Sequence, residues 1–169
     1  GASVFVGPVG LPASPDALLR NDDGSFVEKT EAAGVGGLDP GYGLAALFVD
    51  VDDDGDVDLF VANDSTPNFL FRNDGGHFTD ASLEAGLAYG GRGRSQAGMG
   101  AAWGDYDGDL QPDLLVTHFE NDYNTLYHNE GGGRFVDVTL LAGLGMAAFT
   151  WVGFGTSPGD FDHDGDLDL

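Results

Sequence analysis

Short apolar runs alternate along the chain with loops rich in glycine, aspartate and asparagine, a pattern typical of strands joined by tight turns. In one unit the pattern predicts four strands. The first two flank an aspartate-rich loop, and the last two flank a turn with Asn-Asp-Gly chemistry. These strands are expected at residues 43–49, 58–62, 68–72 and 77–81. Residues 82–87 follow, and we expect one helical turn there that ends on Gly86.

The same order of features recurs with a fixed period. Aspartate-rich segments begin at Asp50, Asp105 and Asp160, which are 55 residues apart in both intervals. A second signature interleaves with them and begins at residues 16, 68 and 124. Strands this short cannot bury their apolar faces alone, so each unit must pack against copies of itself. Four-stranded units of this length predict an all-β fold, a β-propeller, whereas the alternative of a linear β-solenoid uses shorter repeats.

The repeat divides the chain into four blocks. We predict that residues 1–40 end one blade, that 41–97 form a blade with a first loop at 50–58, that 98–150 form a blade with a second loop at 105–113, and that 151–169 begin a blade with a third loop at 160–168. Residues 3–6 match the strand that follows such a loop. Four blades of this size need about 220 residues, whereas the chain has 169. The sequence therefore predicts a propeller fragment.

Most of the charge is concentrated in the three loops. The chain has a formal net charge of -23, and 15 of its 29 acidic residues lie in the loops, leaving 14 acids against 6 basic residues elsewhere. Without a basic patch, nucleic acid and anionic membranes are excluded as partners. No apolar run approaches the roughly 18 residues of a membrane span. The absence of cysteine excludes disulfides and cysteine-ligated zinc.

The spacing within each loop predicts a calcium site. Carboxylates at positions 1, 3 and 5 converge on one point, position 7 offers its carbonyl, and Ca²⁺ takes 6–8 oxygen ligands. An EF-hand would carry glutamate at position 12, where Val61 and Val116 stand, and a strand rather than a helix follows. Aspartate instead occupies position 9 of every loop, as Asp58, Asp113 and Asp168. Solvated Asp-Gly hairpins without a metal are the alternative, but three loops in one register favour calcium.

This D-x-D-x-D-G-x-x-D pattern carries a family resemblance. Residues 96–139 (QAGMGAAWGDYDGDLQPDLLVTHFENDYNTLYHNEGGGRFVDVT) and 153–169 (GFGTSPGDFDHDGDLDL) resemble the FG-GAP/VCBS repeats of integrin α-subunit-type propellers. They look most similar to the cartilage-acidic-protein-like bacterial proteins associated with ASPIC/UnbV. The resemblance implies a propeller of roughly seven blades, in secreted or surface proteins, with Ca²⁺ bound within each blade.

The resemblance also implies the ligands, residue by residue. The first loop would use the side chains of Asp50, Asp52, Asp54 and Asp58 with the carbonyl of Asp56; the second Asp105, Asp107, Asp109 and Asp113 with the carbonyl of Gln111; the third Asp160, Asp162, Asp164 and Asp168 with the carbonyl of Asp166. The second loop departs from the pattern, because Leu110 stands where the others have glycine. If the loop keeps the same bend, a left-handed leucine costs roughly 1–2 kcal/mol; a different bend of the loop is the alternative. In either case we expect this site to be the weakest.

Residues outside the acidic loops give weaker evidence of a functional site. The four histidines, His77, His118, His128 and His163, show no spacing suited to zinc or to a catalytic triad, and we interpret them as surface or packing residues. The basic loop at 90–100 and the aromatic loop at 118–127 could face a partner, although a plain mobile loop and strand-end packing are the simpler interpretations. Trp103 and Trp151 are expected in equivalent strands, packed between blades.

These patterns together predict a non-enzymatic, calcium-stabilised propeller that presents loops for binding. We expect it to be extracellular, cell-surface or periplasmic, because calcium near millimolar levels fills sites of modest affinity. Calcium would be mainly structural, and the partner would be a protein or a glycan beside the remaining blades of the propeller. The alternative is a carbohydrate-binding or enzymatic propeller whose site lies at the central channel.

Overall fold

The computed structural model describes residues 7–169, so the strand expected at residues 3–6 lies outside the described residues. It contains three antiparallel sheets and one short helix. A two-stranded sheet comes first, with β1 at Leu19–Asp22 and β2 at Ser25–Glu28, followed by α1 at Thr30–Ala33. The all-β fold is confirmed, and its sheets are consistent with the blades of a propeller fragment.

The first complete sheet follows the chain order. It contains β3 at Gly43–Val49, β4 at Asp58–Asn63, β5 at Phe69–Asp74 and β6 at His77–Asp80. The four predicted strands are present, with ends shifted by one or two residues. Phe60 pairs with Leu47 on one side and with Leu70 on the other, so the middle of this sheet is apolar.

The second sheet repeats this meander. It contains β7 at Gly98–Gly104, β8 at Asp113–His118, β9 at Thr125–Asn129 and β10 at Phe135–Asp137. Leu115 pairs with Ala102 and with Leu126, the counterpart of the Phe60 pairing in the first sheet. Even the irregularity near the start of the first strand recurs, in β3 and in β7. The period seen in the sequence is therefore a period of structure.

The main core lies between the two complete sheets. Phe60 and Leu70 of the first sheet pack in one cluster with Leu114 and Tyr127 of the second, and all four are almost fully buried. Trp103 of β7 lies against them, with its ring centroid 6.0 Å from that of Phe60. Neighbouring sheets thus bury each other's faces, which is how blades of a propeller are stabilised.

The turn after β6 joins the two complete sheets. Residues 82–86 form the single helical turn expected, since Ala85 N–H donates to the Ala81 carbonyl at 2.8 Å before Gly86 turns left-handed (φ 83°). The Ala85 carbonyl accepts the N–H of Phe135 at 2.8 Å. A Cβ on Gly86 would collide with the Phe135 carbonyl, so this close approach requires glycine.

The expectation for Trp151 is wrong. It lies in a bend outside any strand and is 73% exposed. The residue 55 positions after Trp103 is Pro158, so the two tryptophans are not equivalent. No described strand covers Trp151, whereas Trp103 has Phe60 and Phe135 as neighbours.

Candidate metal centres

The three loops share one set of internal hydrogen bonds. In the first loop, Asp50 Oδ2 accepts the N–H of Gly55 at 2.9 Å and Asp50 Oδ1 accepts that of Asp54 at 3.3 Å. Asp54 Oδ1 in turn accepts the N–H of Asp56 at 2.8 Å. The equivalent bonds of positions 1 and 5 are made by Asp105 and Asp109 in the second loop and by Asp160 and Asp164 in the third. Carboxylates at positions 1 and 5 therefore shape the turn themselves.

The aspartate at position 9 joins its loop to the third strand of the sheet. Asp58 is fully buried, and its two oxygens accept the N–H of Val51 at 2.9 Å and that of Asn73 in β5 at 2.8 Å. The equivalent bonds of Asp113 come from Tyr106 and from Asn129 in β9. Asp168 accepts the N–H of Phe161 in the third loop. Position 9 is thus a structural residue whether or not it also binds an ion.

The structure brings part of each predicted ligand set together. In the first loop, Asp50, Asp52 and Asp58 each place one oxygen within 4.8 Å of the others. Asp54 lies outside this group, and its side chain accepts the N–H of Asp56. The corresponding groups elsewhere are Asp105, Asp107 and Asp109 in the second loop and Asp160, Asp162 and Asp168 in the third. The full ligand sets, with the carbonyls of Asp56, Gln111 and Asp166, stay predictions.

Asp52 provides the test of whether a cation fits the first loop. Its Oδ1 is buried without a hydrogen-bond partner, and its Oδ2 lies 3.1 Å from Nε of Arg72. Burial, and then the neighbouring carboxylate of Asp54, raise the pKa of Asp52, against the opposing charge of Arg72. An ionised oxygen that has lost water and gained no donor is costly. A divalent cation between Asp50, Asp52 and Asp58 would satisfy it, so the residues fit the ion.

The buried aspartates at position 9 are also poorly solvated. Burial raises the pKa of Asp58 and of Asp113, and their backbone N–H donors only partly oppose this. The clustered carboxylates raise the pKa of Asp58 further. Without a cation, position 9 of the first two loops therefore places a carboxylate where water screens its charge poorly.

A separate group beside the second loop, formed by Asp107, Asp113 and His128, contains a residue that was missed from the sequence. His128 Nδ1 lies 3.1 Å from Asp113 Oδ1 and 3.5 Å from Asp107 Oδ2, so this histidine is not merely a surface or packing residue. The signal was available, since His128 and Arg72 both precede the asparagine of the second signature. His118 does fit the packing interpretation, because it is buried and burial lowers its pKa to about 4.

Each loop contains two left-handed residues but only one glycine. Position 6 has φ of 93° at Gly55, 72° at Leu110 and 100° at Gly165, and position 4 is left-handed in all three loops as well. The second loop places its glycine at position 4, as Gly108, and leaves the 85% exposed Leu110 at position 6. The bend is therefore the same in all three loops, and the second loop bears the steric cost at leucine.

Replacing Leu110 by glycine should stabilise the second loop. A left-handed backbone at leucine costs about 1–2 kcal/mol, and glycine removes this cost but adds entropy to the unfolded chain. We therefore expect L110G to raise the free energy of unfolding by about 0.5–1 kcal/mol. Urea denaturation measures it. The reciprocal control, Gly55→Leu in the first loop, should lower the stability by a similar amount. A destabilised L110G would show that the leucine side chain makes a contact that outweighs the strain.

Two loops at the opposite end of the second sheet also form an ordered surface. Gln96 Nε2 donates to Asp122 Oδ1 at 3.0 Å, and Thr125 Oγ1 donates to Gln96 Oε1 at 2.9 Å. The guanidinium of Arg92 lies over the ring of Tyr123, 5.8 Å from its centroid. The basic loop and the aromatic loop singled out in the sequence are therefore in contact with each other.

The fold and the repeated acidic loops define a repeat protein built of propeller-like blades. The model of the FG-GAP-like repeat family matches residues 50–116 and 105–169, so the chain belongs to this family. FG-GAP repeats are in general non-enzymatic binding modules and occur in extracellular or cell-surface proteins. No curated protein matches the chain. The finer resemblance to ASPIC/UnbV-associated proteins stays a prediction.

The part of the chain that the structure describes has no helix that could span a membrane. Its one helix, α1, has four residues.

Proposed function

We propose that the chain is part of a calcium-stabilised β-propeller that acts as an interaction module outside the cytoplasm. The observation that supports a calcium ion is the Oδ1 atom of Asp52, which is buried without a hydrogen-bond partner within a group of three carboxylates. Ca²⁺ suits such a set of hard oxygens, and the ligands would be those predicted for each loop. The blades would follow the predicted division of the chain, with further blades completing the ring.

Calcium would act mainly on stability, because each loop is held between structural elements. Val51 at position 2 of the first loop is fully buried between the two sheets. Its carbonyl accepts Nδ2 of Asn129, from the second sheet, at 3.0 Å. An ion that fixes the first loop would therefore also fix its contact with the neighbouring sheet.

The binding surface would lie at the strand ends away from the calcium loops. The contacts of Gln96 with Asp122 and of Arg92 with Tyr123 hold two loops there in one arrangement. Aromatic and arginine side chains are enriched at recognition surfaces. A protein or a glycan would bind there while the ions hold the blades from the other end.

Calorimetric titration with Ca²⁺ tests the proposal. We expect binding with Kd of about 10⁻⁴–10⁻³ M, and we expect Asp52→Asn to remove about one equivalent because it neutralises a ligand at the centre of the first site. Asp53→Asn is the matched control, since Asp53 lies in the same loop but outside the carboxylate group, and it should bind as the unmodified chain does. Equal loss in both variants would indicate diffuse attraction to negative charge and would contradict the proposal.

A further inference from the structure

The link into the second complete sheet is longer than the link into the first. Two left-handed glycines, Gly34 and Gly86, end the turns that precede the links, and β3 and β7 follow the links. The first link therefore has eight residues, 35–42, and the second has eleven, 87–97. Because the two sheets are otherwise alike, the extra length shows what a link contributes at this end of a sheet.

The longer link folds back over the outer strands of the second sheet. Gly91 N–H donates to Asp137 Oδ2 at 2.8 Å, and the guanidinium of the next residue, Arg92, lies over the ring of Tyr123. A Cβ on Gly91 would collide with the Asp137 carboxylate, so the backbone approaches it closely. The Tyr123 hydroxyl also donates to Asp137 Oδ2, at 3.4 Å. The second sheet thus binds a backbone N–H and an arginine side chain of its own chain.

The first sheet has the same carboxylate but a link too short to cover it. Asp80 corresponds to Asp137, because the Oδ1 atom of each accepts the N–H and the hydroxyl of the residue two positions later, Ser82 or Thr139. Among the described residues, none of the first link donates a hydrogen bond to Asp80. The space between the first link and the outer strands is instead an open groove of about 320 Å³.

The groove is apolar and negatively charged. Pro67, Phe69 and Tyr89 contribute apolar surface, and the Tyr89 side chain is 38% exposed. The charged residues that line it are Asp39 and Asp80, both exposed, and the described lining contains no lysine or arginine. An arginine side chain matches both properties, because its planar guanidinium stacks on aromatic rings and pairs with carboxylates.

We propose that this groove binds an extended segment of a partner protein that contains an arginine. The N–H of the residue before the arginine donates to Asp80 Oδ2, as Gly91 does to Asp137, and the guanidinium meets the ring of Tyr89 and the carboxylate of Asp39. The inference rests on the proposed function, because the groove lies at the strand ends away from the calcium loops. It identifies the partner bound there as a protein.

The second link itself supplies the probe for the test. A peptide of sequence GGRGRSQA, which copies residues 90–97, is titrated into the ¹⁵N-labelled 169-residue chain in a buffer that contains Ca²⁺. A short peptide with few contacts should bind with Kd of about 0.1–1 mM. The amide resonances of residues 66–69 and 80–89 should shift, because these residues line the groove or adjoin it.

Two variants of the chain identify the carboxylate. Asp80→Asn should weaken binding at least about fivefold, because it removes the charge. It retains the Oδ1 atom that accepts the N–H of Ser82, so the turn is kept. Asp74→Asn is the matched control, since Asp74 is an exposed aspartate of the same sheet that lies outside the groove, and it should leave Kd unchanged. If D80N nevertheless disturbs the turn, Tyr89→Leu keeps an apolar side chain without the ring and should weaken binding about threefold.

The peptide GGQGQSQA, in which glutamine replaces both arginines, tests the need for a guanidinium and should not bind measurably. Equal affinity for the two peptides, no binding of either, or equal losses in D80N and D74N would overturn the inference. Shifts of the groove resonances with cellohexaose but not with GGRGRSQA would also overturn it, because the ligand would then be a glycan. Since Ca²⁺ is titrated separately, a chain that binds Ca²⁺ but not the peptide contradicts this inference alone, and the reverse contradicts only the calcium proposal.

Discussion

Calcium at about 10 mM is expected to raise the melting temperature of the chain by about 6–20 °C over the value measured in EGTA. At a concentration about 10–100 times Kd, a ligand that binds only the folded state contributes about 1.4–2.7 kcal/mol per site. Two filled sites, in the first and third loops, whose position 6 is glycine, contribute about 3–5 kcal/mol, and each kcal/mol shifts the melting temperature by about 2–4 °C in a chain of this size. The physical source is the relief of crowded, poorly solvated carboxylates such as Asp52 and Asp58.

Differential scanning calorimetry checks this result, with Mg²⁺ as the ionic control. Mg²⁺ screens the charge of the loops but prefers strict octahedral geometry and retains its water, so its effect should be much smaller. Asp52→Asn should lose about half of the calcium-dependent shift. A melting temperature indifferent to EGTA would rule out structural calcium, and an equal shift with Mg²⁺ would reduce the effect to screening.

Structural features that depend on consecutive residues could be predicted from the sequence. The strands at 43–49 and after Asp58 follow from apolar runs bounded by turn residues, and the 55-residue period sets which sheets are alike. The register of Leu110 with Gly55 left two bends open, and the structure shows the left-handed one. Each of these depends on a few consecutive residues.

Contacts across strands could not be predicted in the same way. His128 reaches Asp113, 15 residues earlier, because Leu114 pairs with Tyr127 and this register brings the two residues side by side. A search for zinc spacing along the chain does not detect such a pair. The structural role of Asp58, whose oxygens accept N–H groups from its own loop and from β5, was hidden for the same reason.

The contact between Asn129 and Val51 extends this argument from one sheet to two. The residues are 78 positions apart, yet Asn129 Nδ2 bonds to the carbonyl of Val51, inside the first calcium loop. Asn129 also bonds to the Pro112 carbonyl of its own loop at 3.3 Å. Asn73, its counterpart in the first sheet, donates Nδ2 to the equivalent carbonyl of its own loop, Val57, at 2.9 Å. The two asparagines therefore differ in the bond that crosses between sheets.

Asn129→Ala should consequently destabilise the chain by about 1–3 kcal/mol more than Asn73→Ala, because it leaves the buried carbonyl of Val51 without a donor. It should also weaken calcium binding in the first loop, although Asn129 belongs to the second sheet. Urea denaturation gives the first quantity, and calcium titration, with Asp52→Asn to identify the first site, gives the second. If both variants were equally stable and bound calcium equally, the loops would act only within their own blades; a greater loss in Asn129→Ala would mean that calcium in one blade stabilises its packing against the next.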